Sequence, residues 1–251
     1  MGILDIFGFG GKSPERATKL KAKVTQKYGG PEARQKAIQQ LGEMDFPEAT
    51  ASLLARFTIA VEPQTTDGDE KEHVFGLIRS RGEAAVEPIR NFLRRNDQAS
   101  SWAVRLLREI LPHDRFVTAI VEHLRELGEV YTRDPEKKLV LLHEAESLED
   151  PRVAPAALPF LDDMADDVKI AGLRALAPRG YPDAREPMLR LLTAPETARR
   201  VQTAAIEAIA RSAFGVQGYR EKVESLLPEP FFVDKAGILK RRGAPAAGES
   251  E

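Results

Sequence analysis

Apolar residues recur along this chain three and four positions apart, in blocks closed by glycine or proline, which is the spacing of one buried helix face. The first block opens at Ser13-Pro14-Glu15, where a cap residue, a first-turn proline and an early acid predict a helix start. That helix is expected to run to Tyr28, where Gly29-Gly30 stop it. A second helix follows from Pro31 with Ala33, Ala37, Ile38 and Leu41 as its stripe, and a third from Pro47 with Ala49, Leu53, Leu54 and Phe57. Together they predict a helical hairpin.

The hairpin recurs. After an expected loop over 61–68, Val74, Leu77 and Ile78 pair with Ala85, Ile89, Phe92 and Leu93. Ala103, Leu106, Leu107 and Ile110 pair with Val117, Ile120 and Leu124. Leu141, Ala145 and Leu148 pair with Val153, Ala157, Leu161 and Met164. Val168, Ala171 and Ala175 pair with Met188, Leu191 and Leu192. The last unit joins Val201, Ala205, Ala208 and Ile209 to Tyr219, Val223, Leu226 and Leu227. Equivalent leucines at 54, 93, 124, 161, 192 and 226 are separated by 39, 31, 37, 31 and 34 residues. A period of about 30–40 residues without strand-like alternation predicts an all-α repeat architecture.

The turns carry their own pattern. Asp150-Pro151-Arg152-Val153-Ala154-Pro155 leads to Pro159-Phe160-Leu161, and Tyr181-Pro182-Asp183-Ala184-Arg185-Glu186-Pro187 leads to Leu189-Arg190-Leu191-Leu192. Looser copies are Phe46-Pro47-Glu48-Ala49 and Gly82-Glu83-Ala84-Ala85-Val86-Glu87-Pro88, and Asp167 to Leu176 reads as a matching first helix. These segments resemble the short HEAT-like repeats of bacteria (the PBS-lyase type), over roughly residues 31–228. The resemblance implies a right-handed, armadillo-like α-solenoid of about six hairpins, with second helices lining a concave face. The domains expected are an apolar, Gly-rich segment over 1–12, a repeat array over 13–228, and a C-terminal extension over 229–251 ending in a disordered tail.

Composition narrows the chemistry. Across 251 residues the chain is 42% hydrophobic and 30% charged, a folded, soluble composition, and it has no cysteine for a disulfide or thiolate site. A net charge of −2 gives no general pull toward nucleic acid. No apolar run approaches the roughly 20 residues of a membrane span, and the first residues lack a signal-peptide pattern, so the expected location is the cytoplasm. Gly11-Lys12-Ser13 ends like a phosphate loop, but Ile6 stands where the first glycine is needed. His143-Glu144-Ala145-Glu146-Ser147 lacks the second histidine of a zinc helix, and no serine elbow is present. No catalytic residue, cofactor or metal is expected.

The charge feature that stands out is basic. Arg90, Arg94 and Arg95 fall on one second helix, with Arg90 and Arg94 one turn apart and outside the Ile89/Leu93 stripe. His123 and Arg125 fall on the next second helix. These five residues are the candidate partner-binding set, suited to acidic peptides. Ile3, Leu4, Ile6 and Phe7 are a candidate capping or docking segment, because a first repeat leaves one flank open. The expected function is a non-enzymatic scaffold for an unidentified protein partner. The alternative is nucleic-acid binding or repair: a HEAT-like family that excises alkylated bases uses tryptophan, aspartate and arginine, which Trp102, Asp114 and the arginines would supply.

Overall fold

The computed structural model describes residues 12–130 and 134–243. The Ser13 hydroxyl accepts the Arg16 amide at 3.2 Å and Pro14 takes the first position, so α1 (Pro14–Val24) starts where the sequence predicts. It buries Ala17, Leu20 and Val24 and keeps its lysines outward. It ends before Tyr28, which is exposed beyond the helix. Then follow α2 (Glu32–Gly42), α3 (Pro47–Leu54), α4 (Gln64–Arg79), α5 (Val86–Arg95), α6 (Ser100–Ile110) and α7 (His113–Gly128). The remainder holds α8 (Glu136–Glu146), α9 (Val153–Ala157), α10 (Asp166–Leu176), α11 (Arg185–Thr193), α12 (Arg199–Arg211) and α13 (Arg220–Leu226). Strands β1 (Phe231–Val233) and β2 (Leu239–Arg241) form an antiparallel hairpin.

Two compact units divide the chain, one up to Phe116 and one from Val117. The expected 13–228 array falls across both. In the first unit α2, α4 and α6 pack in one row and α1, α3 and α5 in a second, with Leu41, Leu53, Ile78, Ile89 and Leu107 buried. In the second unit α8, α10 and α12 form one row, and α11 packs on α13 and on the 3-10 turn after α9. Leu142, Phe160, Leu173, Leu189 and Ile209 are buried there. Helices with one apolar stripe gain most of their stability from burying it against such neighbours.

One turn recurs in both units. After α4 the chain reads Arg81-Gly82, and after α10, beyond a short 3-10 turn, Arg179-Gly180, each glycine at φ +54°, in the left-handed region that disfavours a Cβ. Arg81 donates at 2.6 Å to the Leu41 carbonyl near the end of α2 and at 2.6 Å to the Thr50 hydroxyl. Arg179 donates at 2.8 Å to the Ala145 carbonyl near the end of α8 and also to the Leu148 carbonyl. In each case a cation meets the negative end of the preceding helix in its row. Burial holds both guanidinium groups below their ordinary range. Small hydroxyls stitch the same intervals: Ser52 donates to the Ala17 carbonyl and Ser212 to the Ala177 carbonyl, each at 3.0 Å.

Other expectations change as well. The 61–68 loop is shorter, because α4 begins at Gln64: the Asp67 carboxylate accepts the Val61 amide at 3.1 Å and stands in the first turn, where an acid suits the dipole. Met164 leaves its stripe and is 81% exposed, because the run with Pro155 and Pro159 tightens into a 3-10 turn and stops at Asp162. Leu226 is 42% exposed, since the seven-residue α13 buries only Val223. The extension begins as the β-hairpin, pairing Phe231 with Arg241 and Val233 with Leu239; Leu239 is fully buried and β2 packs on α12. Ile3, Leu4, Ile6 and Phe7, and the expected tail from 244, lie outside the described residues.

Candidate functional site

Helix α5 positions the arginines. Its inward side buries Val86, Pro88, Ile89, Phe92 and Leu93, which turns Glu87, Arg94 and Arg95 to solvent. Arg90 lies between the two faces and is half-buried, so it is less open than its spacing from Leu93 suggests. Arg94 meets Glu87 at 3.6 Å. Arg95 lines a groove of about 520 Å³ with Lys21 of α1, Glu48 and Ala51 of α3, and Glu87 and Asn91 of α5. Two cations face two carboxylates there, and the apolar share comes from Pro47, Pro88 and Phe92. The groove is therefore charge-balanced and amphipathic rather than a basic cradle.

His123 and Arg125 belong to the second unit and are described separately from the α5 arginines. Arg125 is exposed on α7. His123 is 3% exposed, with Nδ1 3.3 Å from Glu126 Oε2; position 123 falls beside Leu124 on the packed face, so its ring offers no surface to a ligand. The neighbouring arginines of α6 and the start of α7 are engaged. Arg105 forks onto Glu72 at 2.6 and 3.2 Å, Arg115 forks onto Glu83 at 2.8 and 2.6 Å, and Arg108 lies 5.8 Å from the centre of the Phe116 ring.

Trp102 is a core-edge residue. Its ring stacks on Phe57 at 4.8 Å and 9°, tilts against Phe75 at 6.1 Å, and carries the Arg105 guanidinium 5.4 Å from its centre. One face of the indole is thus committed to packing. Asp114 is exposed at the start of α7. Among the described residues no group of three or more His, Asp or Glu is placed to hold a metal ion, and no helix is long and apolar enough to cross a membrane.

The strongest electrostatic feature escaped the sequence reading. Arg34 of α2 grips Glu70 of α4 at 2.6 and 2.9 Å and donates at 3.1 Å to the Gln26 carbonyl. Arg56, fully buried after α3, reaches Glu70 at 3.0 Å, Asp67 at 2.6 Å and the Ile59 carbonyl at 3.2 Å. Lys71 closes on Asp67 at 2.7 Å. Burial pushes the Glu70 and Asp67 carboxyls up, but the surrounding cations outweigh it and hold both below the ordinary range. With its carboxylates held by donors from three helical segments, the cluster ties those segments together. The signal was present: Arg34 lies four residues before Ile38 and Arg56 three after Leu53, both on buried stripes.

Comparison with protein-family models, with characterised proteins and with solved structures gives no match for this chain.

Proposed function

We propose that this chain is a right-handed HEAT-like α-solenoid of about six helical hairpins behind a leading helix. On this reading it is a non-enzymatic, cytoplasmic scaffold that presents a concave helical-repeat surface to a protein partner. The observation that carries the reading is the repeated Arg-Gly turn. Arg81 and Arg179 each reach back to a carbonyl near the end of the preceding helix in their row, across 40 and 34 residues. That is the interval of the sequence repeat, so turn chemistry and hydrophobic period agree. The row of α1, α3 and α5 supplies the surface, with Arg94 and Arg95 exposed beside the amphipathic groove. A face that mixes apolar patches with both charges suits a folded or helical protein partner better than a polyanion.

The reading is tested by affinity capture from native lysate with the wild-type chain and the Arg94→Glu, Arg95→Glu double variant. A protein retained by the first and lost by the second, at equal melting temperature, supports it. Equal capture by both places the surface elsewhere. Steeply salt-dependent binding of duplex DNA would favour the nucleic-acid alternative instead.

A further inference from the structure

The second unit carries a larger groove, of about 1070 Å³, between the α8–α10–α12 row and the C-terminal hairpin. Its floor is made of short side chains, among them Ala177, Ala204 and Ala208, which leave room for side chains of an occupant. Its lining also includes Phe231 and Phe232 of β1, Arg174 of α10 and Arg211 of α12, with Arg241 and Arg242 at the hairpin.

Several arginines elsewhere in the chain are paired with acids. Arg79, Arg105, Arg115, Arg200 and Arg220 each sit within salt-bridge distance of a carboxylate. Arg174 and Arg211 make no ion pair among the described residues, although both are exposed at the groove. Arg241 and Arg242 lie over phenyl rings, at 5.9 Å from Phe231 and 5.7 Å from Phe232. Lys240 alone of the hairpin cations is tied to an acid, Asp234, at 2.7 Å. Against these, the groove holds two carboxylates, Glu146 and Glu207.

We infer that this groove binds an acidic peptide segment of a partner protein, with aliphatic side chains on the alanine floor and carboxylates on Arg174, Arg211 and the hairpin arginines. Charge complementarity sets the sign of the occupant. Guanidinium forks are suited to carboxylates in two-point contact. The apolar floor selects a peptide over a bare polyanion. Nucleic acid fits less well, because Glu146 and Glu207 face into the groove and guanidinium groups already lie over the rings on which bases would stack. The inference concerns a surface apart from the α5 groove and stands or falls independently of it.

The test is fluorescence anisotropy of the full chain with a labelled peptide of alternating glutamate and leucine, its lysine–leucine counterpart, and labelled oligo(dT). The acidic peptide should bind, and the basic one should not. The Arg174→Glu, Arg211→Glu variant should weaken the acidic peptide by about tenfold or more, the loss of roughly one good charge pair. Both arginines are exposed, so an unchanged melting temperature verifies that the variant folds. Tighter binding of oligo(dT) than of the acidic peptide would overturn the inference. So would acidic-peptide binding indifferent to the double reversal, no acidic-peptide binding at all, or self-association abolished by that reversal. Arg94→Glu with Arg95→Glu should leave this binding intact, which separates the two grooves.

Discussion

Arg34 holds Glu70 in a two-point grip, Nε to Oε2 at 2.6 Å and Nη2 to Oε1 at 2.9 Å, with both side chains almost wholly withdrawn from water. Because Arg56 shares the same carboxylate, deleting the acid leaves two buried guanidinium groups facing each other. Glu70→Ala should therefore destabilise the fold by about 3–5 kcal/mol, read by urea denaturation. A loss well under 1 kcal/mol would show that the cluster is not closed in solution.

The same cluster sets an acid limit. Glu70 has its folded-state value held below the ordinary 4.5, so its contribution is fully present above 4.5 and is lost as pH falls through the lowered value. Asp67 behaves in the same sense from its ordinary 3.8. Melting temperature should be flat near neutrality and fall below about pH 4.5. In Glu70→Gln that acid-side slope should be shallower.

The turn glycines isolate backbone strain from crowding. A Cβ at Gly82 meets nothing within 4 Å, and one at Gly180 meets only the Ser212 carbonyl at 3.8 Å, so the cost of a side chain comes from φ alone. Gly82→Ala and Gly180→Ala should each cost roughly 1–2 kcal/mol. The asparagine variants should cost less, since that residue tolerates the left-handed region. Equal costs for alanine and asparagine would contradict the assignment.

These examples mark how far the sequence could be read. Stripes of Leu, Ile and Ala located the helices, because burial repeats with the helical period in positions such as Leu54, Leu93, Leu124 and Leu161, all buried. Reading only apolar letters also misplaced one position. On α2 Arg34 joins Ala37, Ile38 and Leu41 on the buried face and Ala33 is exposed; the spacing allows this, and the distant Glu70 supplies the charge that lets an arginine stand there. Helix ends set by side-chain partners far along the chain were equally hidden, as at Gln64, where Arg56 binds Asp67 in the first turn of α4. The candidate site was legible as a basic helix. Its balance of Lys21 and Arg95 against Glu48 and Glu87 was not, because those residues meet only when three helices pack.

The hairpin offers a separate check, since nothing in the period of the chain announced it. Leu239 is fully buried and its strand lies on α12, with the Leu239 amide donating to the Phe214 carbonyl at 3.3 Å. Leu239→Ala should cost about 2–5 kcal/mol by thermal or urea unfolding. A neutral result would mean that the segment after Pro230 does not pack on the helices.

The central claim is that the α1–α3–α5 face receives a protein, and site-specific photocrosslinking tests it most directly. A benzophenone amino acid replaces Ala51, exposed in the groove, or Gln35, exposed on α2. After irradiation in cells, the account predicts a discrete protein adduct from position 51 that is absent from position 35. Equal adducts at both positions, no adduct at 51, or an adduct at 51 sensitive to nuclease would contradict it.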